Sequence, residues 1–264
     1  MNALTVLASG GEEFQAPGPE LFDFPPLFAG GPEWLTKPLV FSVVGALVVC
    51  VFLWSAFSNP KLVPRGVQNI GEVGYMFVRD QIGRPFLGKD TERWMPLLMS
   101  LFFLIWTWNI FSVVPIIQFP IASHIAFPAV LALSVYFLKI YLGIKHQGPA
   151  KYFTNLIPKG LPKPIYVLLV PIEYLSTFLL APFTHAVRLF ANMFAGHMIL
   201  AFFSLVGFWF IFEKPTPLGF GVGVIGVIMT IVMTAFEMFI QFLQAFLFTM
   251  LAAMYIQSGL HADH

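Results

Sequence analysis

The sequence predicts an all-α polytopic membrane protein, and three observations carry that prediction. Of 264 residues, 58% are hydrophobic and only 10% are charged, where a soluble domain carries about 25% charge. The mean hydropathy is +0.82. Apolar runs long enough to cross a bilayer, about 20 residues each, recur between residues 39 and 258. With 14 basic and 13 acidic residues the chain cannot cover a water-facing surface, which excludes a soluble enzyme. Disorder is excluded too, because it needs low hydrophobicity.

Residues 1–37 are Pro/Gly-rich and acidic, with Glu12, Glu13, Glu20, Asp23 and Glu33 against Lys37. Residues 1–38 read as an irregular extracytoplasmic segment without the pattern of a signal peptide. Residues 39–264 read as a single membrane domain. Its first span is 39–57, ended by Asn59 and Pro60. In 61–93, Val67, Ile70, Phe77 and Val78 recur at helical spacing among six basic residues, the pattern of an amphipathic helix on the membrane surface. A second span, 94–117, opens on an interfacial Trp94. A short loop, 118–124, leads to a third span, 125–144, where Lys139 can snorkel. A basic loop, 145–163, is broken by Pro149, Pro158 and Pro162.

Two longer apolar stretches follow. In 164–212 the acids, bases and histidines are Glu173, His185, Arg188 and His197; in 218–258 there is Glu237 alone. As straight helices these stretches would run about 70 Å and 60 Å, against a hydrocarbon core of about 30 Å. Each is therefore two spans or one steeply tilted helix. Eleven of the 14 basic residues lie in 61–93 and 139–163, so the positive-inside rule puts both segments on the cytoplasmic side and the N-terminus outside. The single cysteine, Cys50, excludes an intramolecular disulfide or a cysteine metal cluster and is expected to pack in the apolar interior.

Ionisable groups deep in a membrane are costly and so are functional candidates. Arg188 stays charged at any accessible pH. On a helix, Thr177, Ala181, Thr184, Asn192 and Ala195 all fall within about 40° of it. This is a narrow stripe of one cation, short polar groups and small residues that permit close approach. The plainer alternative is a packing ion pair with Glu173 or Glu237. His197 falls on the opposite face of the helix, about 180° away. In the last stretch Gln241 and Gln244 lie within about 40° of Glu237, either a hydrated path or a hydrogen-bonded packing cluster. His197, which titrates near physiological pH, is the natural partner for Glu237. The glycines at 221, 223 and 226 spell GxGxxG but follow no strand, so they read as close helix packing rather than a dinucleotide site. His185 and His197 are about 120° apart on the wheel, a poor shared face for haem. No cofactor or metal site is expected.

The run VRLFANMFAGH at 187–197 resembles the signature of subunit a of F-type ATP synthases, L-R-L-F-(A/G)-N-M-x-A-G-(E/H). FLQAFLF at 242–248 resembles that family's second signature, and weaker echoes are Pro171-Ile172-Glu173 and Asn109. The resemblance implies about five membrane helices plus the amphipathic surface helix, the last two long, single and steeply tilted. It implies a proton-translocating stator subunit with two aqueous half-channels to a rotating subunit c ring. Arg188 matches the family's essential arginine, which faces the ring carboxylate. Asn192, His197, Glu237, Gln241 and Gln244 would line the outer half-channel. Glu173, Thr177 and Thr184 would line the cytoplasmic one. Partners implied are the subunit c ring, the peripheral stalk subunit b and membrane lipids, with no nucleic acid and no nucleotide, since no GxxxxGK[ST] loop is present.

The implied setting is a bacterial plasma membrane, or alternatively a mitochondrial inner membrane, with the C-terminus cytoplasmic. The sequence departs from the family at Ser112, where an Asp is common, and at Ala181, where a basic residue is common. A secondary transporter or ion channel of another family is the alternative reading, weakened by the absence of an internal repeat. A membrane cytochrome anchor is a third.

Overall fold

The computed structural model describes residues 14, 16–22, 32, 35–114, 119–155, 163–213 and 215–260. These residues are helical almost throughout. The main helices are α1 (Lys37–Phe57), α2 (Val67–Val78), α3 (Thr91–Ile110), α4 (Ala126–Gln147), α5 (Pro149–Asn155), α6 (Lys163–Leu175), α7 (Ala181–Phe208) and α8 (Pro217–Leu260). Four runs are long and apolar enough to cross a membrane: α1, α4, the continuous run Ile165–Glu213 and α8. Large apolar side chains such as Val51, Trp54, Phe137, Val167, Ile231 and Phe239 are exposed. That inverts the pattern of a soluble protein and matches a lipid-facing surface. Together with the four spans it makes this a multi-pass membrane protein.

Both long stretches are single helical runs rather than pairs of spans. The first passes from α6 through a π-helical segment, Ser176–Leu180, into α7 and ends in a second, Trp209–Glu213. The first π segment stands immediately before Pro182. A proline lacks an N–H and crowds the preceding turn, and widening to π geometry accommodates it without breaking the helix. α8 has no proline after Pro217 and runs 44 residues.

Three expectations need correction. The helix of the expected second span, 94–117, ends at Ile110; residues 115–117 lie outside the described residues. Bent turns follow, with Ser112 N–H donating to Asn109 O at 3.1 Å and Val113 N–H to Ile110 O at 2.9 Å, because the approaching Pro115 disfavours helical geometry before it. That helix is also not among the four span-like runs. Met95, Leu98, Phe102, Ile105 and Asn109 are buried, so α3 is packed in protein and is less apolar than a lipid-facing helix. Second, part of the basic loop is helical: Gly148, at φ +82°, ends α4, and Pro149 opens α5 as a first-turn proline. Third, Cys50 is exposed, on a helix whose Leu47, Val48 and Val51 are exposed as well. Its setting is the lipid-facing side of α1 and not a packed interior. On α2, Val67, Ile70, Val73 and Met76 form an exposed apolar face while Gln68, Gly71 and Val78 are buried.

The chain divides into two compact units. The first comprises Met1–Leu47, Trp106–His124 and Phe190–Leu243; the second comprises Val48–Ile105, Ile125–Leu189 and Gln244–His264. In the first unit α7 and α8 approach through the predicted glycines. A Cβ on Gly226 would lie 2.7 Å from Gly207 N, and one on Gly223 would lie 2.6 Å from Ile211, whereas one on Gly221 would meet nothing within 4 Å. In the second, Tyr75 Oη and Arg79 Nε both donate to Glu92, at 2.6 and 2.7 Å. The Tyr75 hydrogen bond, with Arg79 next, holds the Glu92 carboxyl below its ordinary range.

Candidate functional site

In the first unit, α8 presents a polar stripe to α3 and α7. Glu237 and Gln241 are one turn apart and both are buried. Gln241 Nε2 donates to Ser112 Oγ at 2.7 Å and to Glu237 Oε1 at 3.3 Å. Ser112 Oγ in turn donates to Asn109 O at 2.8 Å, and Asn109 Nδ2 donates to the backbone oxygen of Gln241 at 3.2 Å. α3 and the turn that follows it thus hold Gln241 of α8 by both its backbone and its side chain. Such bonds fix register between helices in apolar surroundings.

Gly196 explains how the carboxyl fits. A Cβ there would lie 3.1 Å from both Cδ and Oε1 of Glu237, so the bare glycine lets the carboxyl lie against the α7 backbone beside His197. Among the described residues His197 and Glu237 make no hydrogen bond or ion pair with each other. The expected His–Glu partnership is replaced, as a direct contact, by Glu237–Gln241. The His197 ring instead meets Phe22 edge-on at 5.8 Å.

Next to these groups lies a cavity of about 420 Å³, lined among others by Ser112, His197, Ser204, Thr230 and Thr234. The threonine hydroxyls donate to their own helix, Thr230 to Gly226 O at 2.9 Å and Thr234 to Thr230 O at 2.7 Å, which leaves their oxygens free to accept. Asn109 Oδ1, His197 Nδ1, Glu237 Oε2 and Gln241 Oε1 are buried with no partner. Four orphaned polar atoms in one unit, each costing about 1–3 kcal/mol if left dry, mark a place that needs water.

In the second unit, Arg188 and Thr184 are exposed, and among the described residues Arg188 makes no ion pair. The packing ion pair with Glu173 or Glu237 is therefore absent. Thr184 Oγ1 donates to Leu180 O at 2.8 Å and Ala181 O at 3.1 Å, so its hydrogen is already engaged. Glu173 and Thr177 are half-buried and Gln244 is buried. The Thr177 carbonyl, inside the π segment, accepts from Tyr136 Oη. His185 is buried against the rings of Phe248, 3.9 Å between centroids, and Tyr255, at 5.8 Å. Lys139 Nζ lies 5.0 Å from the Tyr255 ring centre. On α7 beyond this unit, Asn192 and Ala195 are exposed, so much of the stripe read around Arg188 is open.

Comparisons with known proteins identify the family. The family model described as ATP synthase A chain matches residues 39–257. The chain belongs to the ATP synthase subunit a family. It is 42% identical over 259 residues to the ATP synthase subunit a of Streptomyces lividans, covering 95% of this chain and 89% of that one. It is 41% identical to that of Frankia alni, covering 100% and 92%, and 39% identical to that of Rhodococcus erythropolis, covering 98% and 95%.

Sequence reading missed Ser204, Thr230, Thr234 and Gly196, and did not give Asn109 and Ser112 their link to Gln241. The threonines were within reach of it, since Thr230 and Thr234 fall within about 60° of Glu237 on the α8 wheel. The other link joins residues 129 apart, and no local pattern signals that.

Proposed function

We propose that this chain is the proton-translocating stator subunit of an F-type ATP synthase in a bacterial plasma membrane. It carries no nucleotide site of its own and works against the subunit c ring, held by the peripheral stalk subunit b. Protons enter from the outer side through a half-channel formed by the cavity beside His197, Glu237 and Gln241, with Asn192 toward the rotor; Gln244 joins the proton path on its match to the family's second signature. They pass to a carboxylate on the ring and leave on the cytoplasmic side past Glu173, Thr177 and Thr184. The N-terminus lies outside and the C-terminus in the cytoplasm.

The observation that carries this reading is Arg188: a permanent cation, exposed on a span-length apolar run, with no ion pair among the described residues. A bare guanidinium in lipid costs from about 2.5 to more than 10 kcal/mol, so a partner must supply the counter-charge. A deprotonated ring carboxylate does so, and the same fixed charge bars direct proton leak between the half-channels. Alanines beside Arg188 let the ring approach closely. At about 1.5 Å per residue, the 44 residues of α8 span about 66 Å, so in a bilayer core of about 30 Å that helix lies steeply tilted along the rotor. The test is Arg188→Ala in membrane vesicles: ATP-driven proton pumping is lost, and retained pumping would refute the reading.

A further inference from the structure

The hydrogen-bond polarity around Glu237 can be read atom by atom. Ser112 has a single hydroxyl hydrogen, and it is donated to Asn109 O at 2.8 Å. Toward Gln241 the hydroxyl oxygen can therefore only accept, so the group facing it at 2.7 Å is the amide nitrogen. The network therefore orients the Gln241 amide with its nitrogen toward Ser112 and Glu237, an assignment made from these hydrogen-bond partners. A flipped amide would set its oxygen against the ionised Glu237 carboxylate, acceptor against acceptor.

The second hydrogen on that nitrogen points to Glu237 Oε1 at 3.3 Å. An amide nitrogen only donates, so Oε1 is an acceptor in both protonation states of Glu237. In the neutral acid the carbonyl oxygen is the better acceptor and takes this bond, which leaves the hydroxyl at Oε2. Oε2 is the oxygen that is buried without a partner. Asn109 Nδ2 donates to the Gln241 backbone carbonyl at 3.2 Å and fixes the base of this side chain, while Ser112 Oγ holds its amide. On the far side Gly196 leaves the carboxyl just enough room.

We infer that Gln241 is a positioning residue: clamped by Asn109 of α3 and Ser112 of the turn that follows it, it holds Glu237 so that its proton is loaded and released at Oε2 only. Gln241 itself carries no proton. This rests on Glu237 standing on the proton path, as proposed above, and assigns one face of that carboxyl to proton exchange. A carboxyl free to rotate would offer either oxygen, and part of its population would face away from the path.

The test uses the whole ATP synthase in membrane vesicles, with two readouts: passive proton flow after removal of the catalytic head, and the infrared carbonyl stretch of Glu237, isolated by subtracting the spectrum of Glu237→Gln. In Gln241→Leu the carbonyl band moves to higher wavenumber, because its donor is gone, and flow falls about tenfold, the size expected for one hydrogen bond to a charged group. In Ser112→Ala the band broadens toward the same position, and Ser112→Thr, which keeps the hydroxyl, restores it. An unchanged band in an assembled Gln241→Leu complex overturns the assignment. If that variant does not assemble, an unchanged band in Ser112→Ala overturns it instead. The two claims separate cleanly. Proton flow that survives Glu237→Gln removes Glu237 from the path altogether, whereas flow lost in Glu237→Gln with the band unmoved in Gln241→Leu refutes the positioning role alone.

Discussion

Replacing Gly196 with alanine should slow proton movement without preventing assembly. The new methyl group would stand 3.1 Å from Cδ and Oε1 of Glu237, closer than ordinary carbon contacts, so the carboxyl must yield by a few tenths of an ångström. It has little room to yield, since its bond from Gln241 is already 3.3 Å long and contacts near 3.6 Å are no longer hydrogen bonds. Overpacking of this size costs about 1–3 kcal/mol. If the strain falls on the proton-accepting geometry, it corresponds to roughly 5- to 150-fold in rate, at about 1.4 kcal/mol per tenfold. The assay is passive proton flow through head-stripped vesicles, normalised to the amount of assembled complex. Gly221→Ala is the matched control, because its Cβ meets nothing within 4 Å; it should behave as wild type. Equal flow in the two variants would refute the reasoning that Gly196 is there for the Glu237 carboxyl.

Three further outcomes follow from the packing. Gly226→Ala puts a methyl 2.7 Å from a backbone nitrogen of Gly207, which cannot step aside, so the amount of subunit recovered with the complex should fall sharply, as read by quantitative immunoblotting. Tyr136→Phe leaves the Thr177 carbonyl without its donor and should cost about 1–3 kcal/mol, seen as a lower thermal midpoint. Tyr152→Phe removes a hydroxyl that is buried without a partner and should not lower the midpoint. Because the folded Glu92 carboxyl titrates below its ordinary range, its contribution to stability is present above about pH 4.3 and is lost as pH falls through the depressed value. The difference in thermal midpoint between wild type and Glu92→Gln should therefore be constant from neutral pH down to that range and vanish under stronger acid.

Much of this was legible in the sequence because the chain has so few polar residues in its apolar runs. Glu237 and Gln241 could be placed on one stripe by counting turns, and the structure puts them in contact. Arg188, read as a charge with no place to go, is exposed. What periodicity cannot give is the rotation of one helix against another. It paired Glu237 with His197 by chemistry, whereas α8 is rotated so that the carboxyl lies against the bare backbone at Gly196 and takes its hydrogen bond from Gln241 on its own helix. Ser112 looked like the loss of a carboxylate, and only its contact with Gln241 shows what it holds. The run through Arg188 is ambiguous in sequence because about 70 Å of helix exceeds a bilayer core of about 30 Å. The helix continues because a π segment just before Pro182 accommodates the missing donor.

The two proton paths proposed above would open to opposite sides of the membrane, and thiol accessibility reads that difference. Cys50 is the only cysteine and is exposed, so single cysteines would be placed in a Cys50→Ala background at Ser204, Thr230, Glu173 and Thr177. A small membrane-impermeant thiol reagent is then applied from one face at a time. Labelling is expected at 204 and 230 only from the outer face, and at 173 and 177 only from the cytoplasmic face. Labelling of both pairs from the same face would contradict it.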